Sequence, residues 1–219
     1  MGEFLQLFIS WLPMLVNGAA TTAGLCLVAI VAGFAAGVAI YLLGNSPAWF
    51  ARGFARLYVS LFRGTPVLAQ VLLCFYLPGE LGLSFPGYLA AALALTLNTA
   101  AYQSQIVRSG FDAIPPGQLE AAAICGLSPR QTLWHIRLPQ MLRLALPSLI
   151  SELIDVIKAS AVVSVIAITD LMRVGQQLAS ATYRPLAVYL AIALCYLILT
   201  SLLALLGNAA ERRWNREQR

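Results

Sequence analysis

Five apolar segments, each about as long as a membrane is thick, constrain the fold of this chain more than any other feature. A helix needs about 20 predominantly apolar residues to cross the hydrocarbon core of a bilayer. Only 11% of the residues are charged, which leaves little material for a separate water-soluble domain. The sequence therefore predicts an all-α membrane protein in which residues 1–219 form one domain with five transmembrane helices. The predicted spans cover residues 14–43, 57–77, 86–107, 141–169 and 186–207.

The arginines indicate how the chain is oriented in the membrane. If the N-terminus is outside, ten arginines lie on the cytoplasmic side, whereas Arg173 and Arg184 lie outside. Cytoplasmic loops carry an excess of Lys and Arg, so this distribution predicts an external N-terminus and a cytoplasmic C-terminus. Residues 3–12 form a short amphipathic lead that we expect to end at Pro13. No signal peptide is expected, because the N-terminus has no basic stretch and no small-residue cleavage site.

Residues that could carry out catalysis are sparse. The four cysteines are widely spaced, which argues against a disulfide framework or a metal site. A Walker loop for phosphate needs glycines before its lysine, and the only lysine, Lys158, follows Asp155, Val156 and Ile157. The single histidine, His135, lies in a polar segment where a surface or partner contact is the simpler role. We therefore predict that the chain is not an enzyme and holds no metal or cofactor.

The segment 115–139 is a long polar interruption of the apolar pattern and is expected in the cytoplasm. Residues 115–117, Pro-Pro-Gly, should end the helix of the third span, because proline is tolerated in a first helical turn but not in a helix interior. A short helix is predicted over 118–125, followed by Gly126 in the left-handed conformation that often ends helices. The small alanines at 121–123 would let a partner approach this helix closely.

A second short helix is predicted directly after that glycine. Ser128 and Gln131 form an S-x-x-Q capping box with proline at the first helical position, and the helix should run to about Arg137. Leu138 and Pro139 are expected to close it. From the residues alone, this hairpin is either a handle for a partner protein or an amphipathic hairpin that lies on the membrane surface.

The same segment contains the order E-A-A, three residues, Gly, and a final hydrophobic-x-L-P, with Ile136 as the hydrophobic residue. This order resembles the EAA loop of the membrane subunits of ATP-binding-cassette (ABC) importers. In that family the loop is a coupling helix that docks on a cytoplasmic ATPase dimer, which binds ATP and magnesium in place of the membrane subunit. The resemblance assigns coupling to Glu120, Ala121, Ala122, Gly126, Leu138 and Pro139.

Three further segments extend the resemblance over nearly the whole chain. Residues 62–66 match the FRGTP segment of the polar amino acid uptake branch, residues 98–102 its N-x-A-A-Y segment and residues 117–122 its G-Q-x-E-A-A segment. The resemblance implies the type I importer permease fold and half of a translocation pathway, which a related chain or another copy completes. It also implies an external soluble binding protein, a bacterial cytoplasmic membrane and no nucleic acid. Residues 158–162 depart from the family pattern K-D-T-S-L, so no role is carried over to positions 159–161.

Four charged residues lie at membrane depth: Arg63, Glu152, Asp155 and Lys158. Each would cost about 2.5–3.5 kcal/mol at a helix centre, so each should face a cavity, a partner or another charge. The last three share one helical face. An ion pair between Asp155 and Lys158 is the simpler structural role, and it would leave Glu152 without a local partner. Pro147 is expected to break this helix and to free backbone groups towards a pathway.

Glu152 favours a substrate with a positive charge. A glutamate after an L-P-x-L segment is similar to the subunits that import histidine, lysine and arginine, whereas many relatives for other amino acids have a small polar residue there. Arg63 either pairs with a substrate carboxylate or simply lies at the cytoplasmic end of its helix. The alternatives are cystine, glutamine or glutamate on the same scaffold, and a stand-alone secondary transporter or channel. The predicted substrate-binding residues are Arg63, Thr65, Asn98, Tyr102, Glu152 and Asp155.

Two glycines four residues apart, Gly33 and Gly37, lie in the first span. Small residues at this spacing allow two membrane helices to approach closely. We therefore predict that this face of the first span packs against another helix.

Overall fold

The computed structural model describes residues 2–216, and every regular element in that range is helical. A π-helical turn, Leu133–Arg137, joins α6 to α7, and a 3-10 helix, Ser160–Ile166, follows α7. The α-helices are α1 (Gly2–Gly44), α2 (Trp49–Gly64), α3 (Val67–Glu80), α4 (Gly87–Asp112), α5 (Pro116–Ile124), α6 (Pro129–Thr132), α7 (Leu138–Ala159), α8 (Leu171–Thr182) and α9 (Pro185–Arg216).

Two helices of the described chain, α1 and α9, are long and apolar enough to cross a membrane on their own, over Gln6–Gly44 and Pro185–Arg213. They contain the first and fifth predicted spans. α2 and α3 meet the same requirement only as a pair. The third and fourth predicted spans lie in α4 and α7, whose polar residues, such as Asn98 and Glu152, line a shared cavity and lower the hydropathy of these two helices.

α1 continues through Pro13, so the expected end of the lead segment at this proline is wrong. Trp11 and Leu15, on either side of the proline, are buried against residues of α8 and α9. This packing stabilises the helix on both sides of Pro13 and outweighs the backbone hydrogen bond that proline removes. The lead is therefore part of the first long helix.

The second predicted span, 57–77, is not a single helix. The axes of α2 and α3 differ by 108°, and Thr65 between them is extended, with φ −117° and ψ 148°. The residue before a proline is disfavoured in the helical conformation, so Pro66 explains the break. Beyond it, α3 packs against α4 in a buried cluster that includes Val71 and Leu95.

The fourth predicted span, 141–169, also differs from the structure. α7 begins earlier, at Leu138, passes through Pro147 without a break and ends at Ala159, so the break expected at the proline is wrong. The helix is held on both sides of this proline. Met141 and Ala145 are buried against α4, while Val156 and Ile157 are buried beside Cys26 of α1.

α8 follows the 3-10 helix and was not predicted from the sequence. Its first turn is capped by Asp170, whose carboxylate accepts a hydrogen bond from the Arg173 backbone N–H over 2.9 Å. The Leu171 backbone N–H donates to the Thr22 hydroxyl of α1 over 3.1 Å. These bonds and the buried cluster shared with α1 and α9 place α8 between the two longest helices.

α1 and α4 pack closely where the two glycines of α1 face α4. A Cβ atom at Gly37 would lie 3.0 Å from the Ala100 carbonyl oxygen and 3.1 Å from the Ser104 nitrogen, and one at Gly33 would overlap Thr99. The close helix packing predicted from the two glycines is confirmed.

Candidate functional site

A cavity of about 390 Å³ lies between the end of α2, the start of α3, α4 and α7. Its apolar wall includes Leu95 and Val156. Its polar lining contains five of the six residues that the sequence analysis proposed for substrate binding: Thr65, Asn98, Tyr102, Glu152 and Asp155. The five come from three separate parts of the chain, and the break between α2 and α3 brings Thr65 to the others.

Arg63, the sixth residue, does not line this cavity. Its guanidinium carbon lies 5.2 Å from the centroid of the Tyr102 ring, within the range of a cation–π interaction. Tyr102 does line the cavity, so Arg63 contacts the site through the Tyr102 ring. The Arg63 side chain is exposed.

Glu152 has a partner that the sequence analysis did not identify. The Thr99 hydroxyl of α4 donates a hydrogen bond to Glu152 Oε1 over 2.7 Å, and Gln103 Nε2 donates to the Thr99 oxygen over 3.1 Å. Thr99 and Gln103 are both buried. The expectation that Glu152 would lack a local partner is therefore wrong, because a neutral hydroxyl on the facing helix holds its carboxylate.

Asp155 and Lys158 form the ion pair that the sequence analysis gave as their simpler role. Lys158 Nζ lies 2.7 Å from Asp155 Oδ1, and both side chains are more than half exposed. Among the residues described here, no basic side chain forms a salt bridge with Glu152. Of the two cavity carboxylates, Asp155 is therefore paired with a cation of α7, whereas Glu152 is not.

Gln70 holds the break between α2 and α3 and was also missed. Its buried amide NH2 donates to the Phe62 carbonyl oxygen over 2.9 Å, to the Thr65 carbonyl oxygen over 3.1 Å and to the Thr65 hydroxyl over 2.9 Å. Asn98 Nδ2 donates to Gln70 Oε1 over 2.9 Å and to the Phe62 carbonyl oxygen over 3.2 Å. Both Asn98 bonds use its NH2 group, so its carbonyl oxygen is available to the cavity.

Thr99, Gln103 and Gln70 share a signal that was visible in the sequence. Each is a hydrogen-bonding residue inside an apolar segment, and Thr99 and Gln103 are four residues apart, which places them on one helical face. None of the three is charged, so the cost of a charge at membrane depth did not single them out. Buried uncharged polar groups also need partners, so they mark interior positions in the same way.

The coupling segment begins as predicted. α5 ends at Ile124, and Gly126 is left-handed with φ +76°. The Leu127 N–H donates to the Ala122 carbonyl oxygen and the Gly126 N–H to the Ala123 carbonyl oxygen, each over 3.0 Å. This is the Schellman arrangement of a glycine-terminated helix, and the predicted C-cap is confirmed.

α6 also begins as predicted, with a capping box. The Gln131 N–H donates to the Ser128 hydroxyl over 3.3 Å, and the Ser128 N–H donates to Gln131 Oε1 over 2.9 Å. The predicted end of this helix at Leu138 and Pro139 is wrong. The backbone passes through the π-helical turn directly into α7, where Pro139 lies in the first turn, a position that tolerates a missing N–H.

The six residues assigned to coupling by resemblance do not lie on one surface. Ala122 is buried, and Leu138 packs against a core cluster around Met141. Ile124 and Trp134 are 86% and 57% exposed, although neither was assigned to coupling. The four exposed residues of the assigned set are Glu120, Ala121, Gly126 and Pro139.

A shallow depression of about 460 Å³ lies beside Trp134. Its lining includes Arg130, Gln131 and His135, and the His135 ring Nδ1 is 2.9 Å from the Gln131 carbonyl oxygen. The exposed side chains of α5, α6 and the π-helical turn include Glu120, Ile124, Arg130, Trp134 and His135. After the coupling role predicted for this segment, we call this group of side chains the coupling surface. It combines two large apolar side chains with charged groups of both signs, a composition suited to a protein partner.

Comparisons with known proteins show the family to which the chain belongs. Residues 29–216 match the family described as "Binding-protein-dependent transport system inner membrane component". The chain is 35% identical over 206 residues to the arginine transport system permease protein ArtQ of Bacillus subtilis, covering 94% of each chain. It is 33% identical to the putative glutamine transport system permease protein GlnP of Rickettsia conorii, covering 97% of this chain and 98% of that protein.

A solved structure entitled "Crystal structure of an amino acid ABC transporter with histidines" superposes with a TM-score of 0.90 and 34% identity. The match covers 96% of this chain and 98% of that chain. The predicted fold class, an all-α membrane protein of the type I ABC importer permease fold, is confirmed. Subunits of this kind are transport components and not enzymes, and they work with separate ATPase subunits. Membership of the family of binding-protein-dependent inner membrane components sets aside the alternative of a stand-alone transporter. The chain belongs to this family and is an amino acid ABC importer permease.

Proposed function

We propose that this permease subunit imports a basic amino acid, such as arginine, lysine or histidine, through the cavity beside Glu152. The observation that carries the proposal is the Glu152 carboxylate, which lines the cavity, accepts a hydrogen bond from Thr99 and has no salt-bridge partner among the described residues. An anion at membrane depth is costly unless a cation is nearby. A cationic substrate group would supply that charge during transport.

The rest of the cavity fits the polar end and the stem of such a substrate. Its volume of about 390 Å³ falls in the usual range of small-molecule sites. Thr65, Asn98 and Tyr102 offer hydrogen-bonding groups, while Leu95 and Val156 offer an apolar wall for the aliphatic stem. We assign Asp155 a lesser part, because Lys158 already neutralises its charge.

We assign Arg63 a smaller role in substrate binding than Glu152. Its guanidinium lies against the Tyr102 ring and outside the cavity lining, so we assign it a smaller part in binding than the residues that line the cavity. The permease named for arginine supports a basic substrate, whereas the permease named for glutamine at nearly the same identity supports a neutral one. Glu152 is the reason for favouring the basic class.

We further propose that the coupling surface docks on a cytoplasmic ATPase dimer in a bacterial inner membrane. Closure of that dimer on ATP would draw two coupling surfaces together and turn the cavity outwards, where a soluble binding protein delivers the substrate. Hydrolysis would reverse the change, so that two global states link the two sites. A second permease subunit, either a related chain or another copy, completes the pathway.

Competition during uptake tests the substrate assignment. The assembled transporter is reconstituted in proteoliposomes with ATP, and uptake of labelled arginine is measured against lysine, histidine, glutamine, cystine and glutamate. We expect the basic amino acids to compete and the other three not to do so. Equal competition by glutamine would overturn the assignment to the basic class.

Substitution of the carboxylate tests its role. Glu152→Gln keeps the shape and removes the charge, and we expect it to raise the KM for arginine by about tenfold or more, the value of a hydrogen-bonded charge. Glu80→Gln is the matched control, because Glu80 ends α3 away from the cavity. Unchanged arginine uptake by Glu152→Gln would remove Glu152 from the site.

A further inference from the structure

A second cavity, of about 470 Å³, lies where the end of α1, α2 and the second half of α4 meet. Three arginines line it: Arg52 and Arg56 from α2, and Arg108 from α4. Its other polar lining residues include Tyr41 and Asn45. In the orientation that the arginine distribution predicts, this cavity lies at the cytoplasmic side of the membrane.

The positive charge of this cavity is only partly compensated. Arg108 Nε lies 3.5 Å from Asp112 Oδ2, in a pair whose side chains are both about two-thirds exposed. Arg52 Nη1 donates to the carbonyl oxygens of Ser46 and Pro47 over 2.9 and 2.6 Å, which orients its guanidinium without neutralising it. Within the described chain, the Arg56 side chain makes neither a hydrogen bond nor an ion pair. Three cations thus line one cavity, and only Arg108 is paired with a carboxylate, that of Asp112, which is not among the lining residues.

α2 also carries exposed aromatic side chains, and Phe50 and Phe54 lie on the side of this helix turned away from Arg52. Trp49, Phe50 and Phe54 are 78%, 67% and 55% exposed, and they lie on the same helix as Arg52 and Arg56. Aromatic side chains are common at the boundary between a membrane and water. One helix therefore presents guanidinium groups to a polar cavity and an aromatic surface to the adjacent hydrocarbon.

We propose that this cavity binds the phosphate headgroup of an anionic lipid of the cytoplasmic leaflet. Guanidinium groups bind phosphate oxygens in a forked geometry, and Arg56 is the group with all its donors available. The headgroup occupies the cavity while the acyl chains extend into the hydrocarbon beside α2. The lipid thereby links the ends of α1, α2 and α4 at the level of the membrane surface.

Binding of a short-chain lipid to the full-length chain in dodecyl maltoside tests the proposal. Dioctanoyl phosphatidylglycerol is titrated and followed by thermophoresis, with dioctanoyl phosphatidylcholine as the zwitterionic comparison. We expect phosphatidylglycerol to bind at least about tenfold more tightly, and Arg56→Gln to weaken it about fivefold, the value of one basic residue at a membrane surface. Arg56→Gln combined with Arg108→Gln should weaken it about 25-fold on the same basis.

Arg212→Gln is the matched control, because it removes an exposed arginine at the cytoplasmic end of α9. It should leave the affinity unchanged, and Arg56→Lys should weaken binding less than Arg56→Gln. Two results would overturn the proposal: equal affinity for the two lipids, or an equal loss in Arg56→Gln and Arg212→Gln. Displacement of the lipid by inorganic phosphate at the same concentration would show a site for soluble anions and would overturn it as well.

Discussion

The Thr99 hydroxyl of α4 donates a hydrogen bond to the Glu152 carboxylate of α7 over 2.7 Å, across 53 positions of sequence. Gln103 supports Thr99 from the next turn of α4. This contact fixes one oxygen of the Glu152 carboxylate. No described residue forms a salt bridge with Glu152, so its negative charge is available to a group that enters the cavity. A neutral donor thus positions Glu152 without neutralising it.

Removal of the Thr99 hydroxyl should weaken substrate binding. Thr99→Val keeps the side-chain shape, and we expect it to raise the KM for arginine uptake about tenfold, because a hydrogen bond to a charged group contributes about 1.5–3 kcal/mol. Thr200→Val is the control, since the Thr200 hydroxyl bonds only within α9. Equal KM values for Thr99→Val and the native transporter would contradict a positioning role for this hydroxyl.

Removal of the Gln70 amide should destabilise the break between α2 and α3. Gln70→Leu removes the donor to the Thr65 carbonyl oxygen and hydroxyl and the acceptor for Asn98 Nδ2, and each such hydrogen bond contributes about 0.5–1.5 kcal/mol. We expect a lower thermal unfolding midpoint in detergent. Gln177→Leu, on the exposed side of α8, should change the midpoint much less. A Gln70→Leu protein as stable as this control would show that the break is held by other groups.

Addition of a methyl group between α1 and α4 should also lower stability. Gly37→Ala brings a Cβ atom to within 3.0 Å of the Ala100 carbonyl oxygen, and overpacking of this kind costs about 1–3 kcal/mol. Gly24→Ala in the same helix meets nothing within 4 Å and serves as the control. The free energy of unfolding of both variants is measured by titration with denaturant. If both variants unfold at the same denaturant concentration, the contact between α1 and α4 is looser than described.

A polar residue in place of Ile124 should weaken attachment of the ATPase. The Ile124 side chain is 86% exposed, and burial of such a side chain at an interface contributes about 1.5–3 kcal/mol, so Ile124→Ser should reduce ATPase copurification about tenfold or more. Leu186→Ser changes an aliphatic residue of similar exposure, 85%, at the start of α9 and should leave copurification unchanged. Undiminished recovery of ATPase with Ile124→Ser would place the interface elsewhere.

Local backbone signals allowed much of the cytoplasmic segment to be predicted. The conformation of Gly126 and the Ser128–Gln131 capping box depend on residues within a few positions of each other, and both predictions are confirmed. The ends of several helices could not be predicted in the same way. Pro13, Pro147 and Pro139 each indicated an end. Contacts with distant helices hold the backbone helical through Pro13 and Pro147, and Pro139 lies in the first turn of α7, where a missing N–H is tolerated.

The candidate site was also predictable only in part from the sequence. Charge and resemblance selected Glu152 and four other cavity residues, and the structure brings these five together, although their role in binding remains a prediction. Thr99 and Gln70 required knowledge of which helices are adjacent, because their partners lie 53 and up to 28 residues away. Pro66 indicated the break in the second span, but only the structure gives its angle.

The π-helical turn has a mechanical consequence. It joins α6 to α7 without a break, so Trp134 and Glu152 belong to one helical rod and lie about 27 Å apart along it, at 1.5 Å per residue. Arg137, within the turn, is fastened to α4 by its guanidinium, whose carbon is 5.1 Å from the Phe111 ring centroid. The backbone thus stays helical through Pro139, with no loop between the exposed Trp134 side chain and the cavity carboxylate. We expect a displacement of the cytoplasmic end of this helix to be carried along it towards Glu152.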